Sequence, residues 1–107
     1  MEGEWIRVAS VSDVSDGDMI GVKVAEHEIA LFRLGDSYYA TDNICTHEFA
    51  YLTDGFFEGD QFLVECPLHA GQFDIRTGQG LCTPVSEESI RTFPVRTEGD
   101  DVLLRID

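Results

Sequence analysis

Apolar side chains in this chain recur at every second position in short runs, and no window sustains the capped 3.6-residue spacing of an amphipathic helix. That pattern confines the chain to strands that pair and bury one face. The expected strands are Trp5 to Ala9, Met19 to Ala25, Glu28 to Leu34 and Ser37 to Thr41. Turns are expected at Ser15-Asp16-Gly17-Asp18, around His27 and at Gly35-Asp36. The pattern returns at Thr92 to Thr97 and Val102 to Ile106, with Glu98-Gly99-Asp100-Asp101 as the hairpin turn between them. Ser86 to Ile90 forms a helical turn at most. The fold class is all-β, an antiparallel sandwich or barrel framework.

From about Ile44 to Pro84 the character changes, with Gly55, Gly59, Gly71, Gly78 and Gly80 spread among short apolar runs. This segment reads as a smaller subdomain of short strands and loops inserted into the framework, 44–84 within 1–43 and 85–107. The 107 residues make one domain with one modest core, to which a bound metal would add stability. With 43% hydrophobic residues the chain folds in spite of its formal charge of −14. That charge repels phosphate backbones and anionic lipid, which excludes nucleic-acid and membrane-surface binding, and it steers a partner with a basic docking patch. Met1-Glu2-Gly3-Glu4-Trp5 lacks a basic region followed by an apolar one, and no apolar run reaches bilayer length, so a soluble, cytoplasmic monomer is expected.

Three cysteines make a poor disulfide framework, and two of them stand beside histidines: Cys45-Thr46-His47 and Cys66-Pro67-Leu68-His69. In an extended loop Cys45 and His47 face the same side, and Cys66 and His69 do so across a turn stiffened by Pro67. Facing loops would offer two sulfurs and two nitrogens. A structural zinc accepts such a set, although zinc sites usually group Cys with Cys and His with His. A Cys–His nucleophile pair uses half of the pattern, and an unliganded reading needs the recurrence to be chance. The remaining reading is a 2Fe-2S cluster with two cysteines on one iron and two histidines on the other.

These four residues match the Rieske ligand signature, and the chain resembles the Rieske family over nearly its whole length, including Arg91-Thr92-Phe93-Pro94-Val95. It looks most like the small Rieske ferredoxins of bacterial aromatic-ring-hydroxylating dioxygenases. The resemblance implies one Rieske-type 2Fe-2S cluster held by Cys45, His47, Cys66 and His69. It also implies a carrier, not an enzyme, that takes one electron from an NAD(P)H-dependent flavoprotein reductase and passes it to the Rieske centre of a terminal oxygenase. Two alternatives remain: a Rieske-like small subunit of a reductase complex such as nitrite reductase, or a zinc-stabilised interaction module.

Neutral imidazoles leave the oxidised cluster without the extra negative charge of four thiolates, so reduction is easier and the electron sits mainly on the histidine-bound iron. Higher-potential Rieske proteins resemble this chain but add a disulfide between the ligand loops, where Ala50 and Leu68 stand here. They also place a serine and a tyrosine hydroxyl on cluster sulfurs at the places of Gly71 and Phe73. Without those donors the expected potential lies near the low end of the Rieske range, about −150 mV. With His47 and His69 committed, only His27 remains, too few for a 2-His-1-carboxylate oxygenase site. No Gly-x-Gly-x-x-Gly loop is present to bind NAD or FAD.

Among secondary candidates, Cys82 lies in the segment that in Rieske proteins covers the cluster, and is expected to be a small buried apolar residue. His27 between Glu26 and Glu28 is expected to be exposed and without function, and Trp5 to pack at the core or an edge. Phe49, Tyr51, Leu68, Leu81 and Pro84 would shield the cluster, with Leu68 and Pro84 in an apolar docking patch. The charge runs Glu58-Gly59-Asp60 and Glu98 to Asp101 read as solvated turns.

Overall fold

The computed structural model describes residues 4–44, 50–67, 71–80 and 89–106. Ten strands lie among them: β1 Trp5–Ser10, β2 Met19–Val24, β3 His27–Leu34, β4 Ser37–Asp42, β5 Phe56–Glu58, β6 Leu63–Glu65, β7 Gln72–Asp74, β8 Thr92–Phe93, β9 Val95–Glu98 and β10 Asp101–Arg105. No α-helix occurs among the described residues; three short 3-10 turns cover Val11–Asp13, Leu52–Asp54 and Gly59–Gln61. The strands pair antiparallel in three sheets, ordered β1-β10-β9, β2-β3-β4-β8 and β5-β6-β7. The all-β class expected from the alternation is what the chain adopts.

Strand β3 explains how the sheets are joined. Ile29, Ala30, Leu31 and Phe32 are all fully buried, a continuous apolar run that requires cover on both faces. Successive side chains point to opposite faces, and they enter different cores. Ile29 and Leu31 join Ala9, Val14, Val24, Ala40, Phe93, Val102 and Leu104 in the framework core. Ala30 and Phe32 join Leu52, Val64, Cys66, Phe73, Ile75 and Ile90 in a second core under the small sheet. Phe32 meets Phe57 of β5 with ring centres 5.0 Å apart. Burying a side chain of this size contributes about 1.5–3 kcal/mol, so β3 is a shared wall that ties the small sheet to the framework.

Three hairpins turn on two residues each, at Ala25-Glu26, Gly35-Asp36 and Gly99-Asp100. Two expectations from the sequence need correction. Thr92 to Thr97 is two strands: β8 pairs with β4 and β9 with β10, because Pro94 has no N–H for a ladder and the chain changes sheets there. His27 is not in the turn; it opens β3 opposite Val24, is half-buried, and stands edge-on to Phe93 with ring centres 6.1 Å apart. Trp5 is half-buried at its sheet edge, with the Arg96 guanidinium 4.3 Å from its ring centre. Glu58 and Asp60 are exposed as expected, and Glu98 reaches Arg96 at 2.7 Å.

Candidate metal centre

Of the four expected ligands the described residues include Cys66; Cys45, His47 and His69 lie outside them, as do Phe49, Leu68, Leu81, Cys82 and Pro84. What the structure shows is how the stems that carry these residues are closed. Cys66 follows β6 directly, and its N–H donates to the Gly71 carbonyl at 2.7 Å, which joins the chain on either side of residues 68–70. One rung further in, Glu65 opposes Gln72, whose Nε2 donates to Glu65 Oε1 at 3.0 Å.

The stem around 45–49 is closed twice. Ile44 and Tyr51 form an isolated antiparallel bridge, and Leu52 N–H donates to the Asn43 carbonyl at 2.7 Å. Asn43 is only 3% exposed, and its side chain engages Thr53: Oδ1 accepts from the Thr53 N–H and Nδ2 donates to Thr53 Oγ1, each at 3.0 Å. From Thr53 the chain runs through Gly55 into β5. A Cβ at Gly55 would overlap the Glu65 carbonyl oxygen and press on Pro67, so only glycine lets this segment pass against the strand that ends in Cys66.

The stem around 81–88 is closed by Ile90 N–H donating to the Gly78 carbonyl at 2.8 Å and by a bridge between Gly80 and Phe73. Cys66, the first residue after β6, lies at the end of the small sheet marked by the Phe56, Glu65 and Gln72 rung.

The Cys66 residue is 1% exposed and packs in the second core with Leu52, Val64, Phe73 and Ile75. A cysteine removed from water in apolar surroundings is a soft donor of the kind iron–sulfur chemistry uses. Cys66, the one expected ligand among the described residues, fits such a group. A cleft of about 500 Å³ opens elsewhere, at the far end of β5, lined by Asp16, Leu34, Phe57, Glu58 and Asp60, away from this thiol.

Two residues were missed by the sequence reading. Phe56 is 63% exposed and pairs with Glu65, next to Cys66. The signal was the Phe56-Phe57 dipeptide itself: in a strand the two rings must face opposite ways, and Phe57 turns inward onto Phe32. Asn43 was the other, a polar residue placed two before Cys45 at the end of a half-buried strand.

The Rieske 2Fe-2S domain profile matches residues 4–94. The chain is 47% identical over 107 residues to the ferredoxin component of the naphthalene 1,2-dioxygenase/salicylate 5-hydroxylase systems of Ralstonia sp., covering the whole of both. It superposes on the ferredoxin of carbazole 1,9a-dioxygenase from Nocardioides aromaticivorans with a TM-score of 0.90 at 35% identity, over 96% of this chain and 98% of that one. A chain in the complex of reduced oxygenase and oxidised ferredoxin in carbazole 1,9a-dioxygenase matches with a TM-score of 0.84 at 32% identity, over 94% and 92%.

Proposed function

The chain belongs to the Rieske 2Fe-2S domain family, and from that premise we propose that Cys45 and Cys66 hold one iron of its cluster and His47 and His69 the other. It is an electron-transfer ferredoxin component of a dioxygenase system, with one Rieske-type cluster, and is not itself an enzyme. The observation that supports the ligand reading is the buried Cys66 thiol, on a residue whose N–H is bonded to the Gly71 carbonyl. When bound, the group stores one electron reversibly. Residues 44–84 form the unit that holds it, and residues 1–43 and 85–107 form the framework.

The chain's own residues hold and shield. Leu52, Val64, Phe73 and Ile75 keep water from the Cys66 side, while His47 and His69 are the route by which the electron leaves. The carrier takes its electron from an NAD(P)H-dependent flavoprotein reductase and passes it to the Rieske centre of a terminal oxygenase. A related ferredoxin is known in complex with its oxygenase. Exposed Phe56 and Pro67, beside Cys66, join Leu68 and Pro84 as apolar contact for brief docking. The charge of −14 steers basic partners toward it. No helix among the described residues is long and apolar enough to cross a membrane. A cytoplasmic monomer fits the carrier role.

Analysis of the purified protein for iron and acid-labile sulfide tests the reading, together with EPR of the reduced form and electron transfer between a purified reductase and oxygenase. Equal iron and sulfide, a mixed His/Cys spectrum and a rate that falls with salt are expected. Zinc without sulfide would remove the ligand assignment, and a rate indifferent to salt would remove the steering.

A further inference from the structure

We propose that the Asn43–Thr53 clasp is a positioning device that sets the register of the stem around 45–49 and so fixes where Cys45 and His47 meet the iron, an inference that rests on the ligand reading above. Asn43 spends every kind of hydrogen-bonding group it has on this task. Its N–H donates to the Glu28 carbonyl of β3 at 2.9 Å, and its carbonyl accepts from Leu52 at 2.7 Å. Its side chain takes the Thr53 N–H and gives a proton to Thr53 Oγ1, both at 3.0 Å.

The orientation of the amide is forced: the Thr53 backbone N–H can only donate, so Oδ1 faces it and Nδ2 faces the hydroxyl. A polar side chain 97% removed from solvent is unfavourable unless paired, and here the pairing exists in one register alone. Slipping the stem by one residue would leave the amide unsatisfied and shift every residue that follows Asn43 in register. A backbone bridge such as Ile44 to Tyr51 does not discriminate in this way, since every residue offers the same groups.

The framework also leaves room for the clasp. A Cβ at Gly21 of β2 would sit 3.1 Å from Asn43 Nδ2 and 3.4 Å from Thr53 Oγ1, closer than the pair tolerates without shifting by a few tenths of an ångström. The clasp is thus held between β3, through Glu28, and β2, through the bare face of Gly21. Framework geometry passes to the ligand loop through one amide.

The test uses the holoprotein and three variants: Thr53→Val, which removes the hydroxyl at nearly constant shape, Thr53→Ser, which keeps it, and Gly21→Ala, which crowds the pair without touching it chemically. The readouts are the EPR line positions and widths of the reduced form, the midpoint potential, and the rate of iron release to a chelator, each beside the melting temperature. Thr53→Val is expected to release iron about tenfold faster, the factor that one lost buried hydrogen bond implies, with broadened or displaced lines and a shifted midpoint. Thr53→Ser restores all three, and Gly21→Ala displaces the lines in the same direction. Wild-type spectrum, potential and release rate in Thr53→Val, whatever its melting temperature, would overturn the proposal. If Thr53→Val fails to assemble a cluster, Gly21→Ala decides, and unchanged readouts there overturn it equally. A wild-type protein without a mixed His/Cys spectrum would instead remove the ligand reading, which keeps the two failures apart.

Discussion

The N–H of Cys66 donates to the carbonyl of Gly71 at 2.7 Å, a main-chain bond that joins the chain on either side of residues 68–70. Because main-chain atoms make this bond, it does not depend on the Cys66 thiol.

Cys66→Ser tests the thiol in isolation. The ladder bond survives, but a hydroxyl replaces sulfur at a site 1% exposed among Leu52, Val64, Phe73 and Ile75. We expect no acid-labile sulfide and no visible absorption, with a further loss of about 1–3 kcal/mol from placing a polar hydroxyl among apolar side chains. Iron, sulfide and a denaturant midpoint check it; a full complement of both in the serine variant contradicts the ligand role.

Phe73→Tyr addresses the potential. Phe73 is fully buried in β7 opposite Val64, two residues after Gly71, where the resemblance to higher-potential Rieske proteins places a hydroxyl that donates to a cluster sulfur. A donor that favours the reduced state by about 1.4 kcal/mol raises a one-electron midpoint by about 60 mV. Redox titration monitored by EPR measures the shift. An unchanged midpoint with a lowered melting temperature would mean that the hydroxyl is buried unpaired and does not reach sulfur.

Asp74 makes stability depend on acid. Its carboxyl is held below the usual 3.8 chiefly by the hydrogen bond from the Arg76 side chain, against burial that raises it, with backbone N–H groups of Arg76 and Thr77 adding to the lowering. Arg76 Nη2 and Nε reach the carboxylate at 2.9 and 3.1 Å while the guanidinium lies 4.2 Å from the Phe62 ring centre. Because the folded value is depressed, the contribution is complete above the unfolded carboxyl value, about 3.9, and is lost as pH falls through the lower folded one. Asp74→Asn should lower stability at neutral pH and lose less of it between about pH 5 and 2 than the wild type does. Parallel acid-unfolding curves for the two proteins would refute this.

The sequence made some of this legible for physical reasons and hid the rest for equally physical ones. Turn residues with a required backbone sign, such as Gly35 and Gly99, and the alternating strands around them could be placed because their information is local. Alternation placed a strand at Glu28 to Leu34, but not the burial of Ile29 to Phe32 on both faces in two different cores, since that depends on a sheet built from residues 56–74. Pro94 sat in plain view inside a run read as one strand; its consequence, a change of sheet, appears only once the partners of β8 and β9 are known. The ligand signature pointed to its chemistry by residue type and spacing alone. Asn43 did not, because a polar residue near a strand end looks solvated until its partner ten residues later is found folded against it.

Ala25 offers the last prediction. It occupies the first turn position of the β2–β3 hairpin at φ +56°, the place held at φ +61° by Gly35 in the β3–β4 hairpin and by Gly99 in the β9–β10 hairpin. A Cβ in this left-handed conformation is unfavourable by about 1–2 kcal/mol, while glycine loses about 0.5–1 kcal/mol more than alanine in backbone entropy on folding. Ala25→Gly should therefore stabilise by about 0.5 kcal/mol, roughly 2–4 °C in melting temperature. Ala25→Val should act in the opposite sense, because branching at Cβ worsens the same clash. The residue is exposed in a turn, so the EPR spectrum of the reduced protein should be identical in all three forms. A melting temperature in Ala25→Gly at or below that of the wild type would show that this turn relaxes to accept alanine without strain.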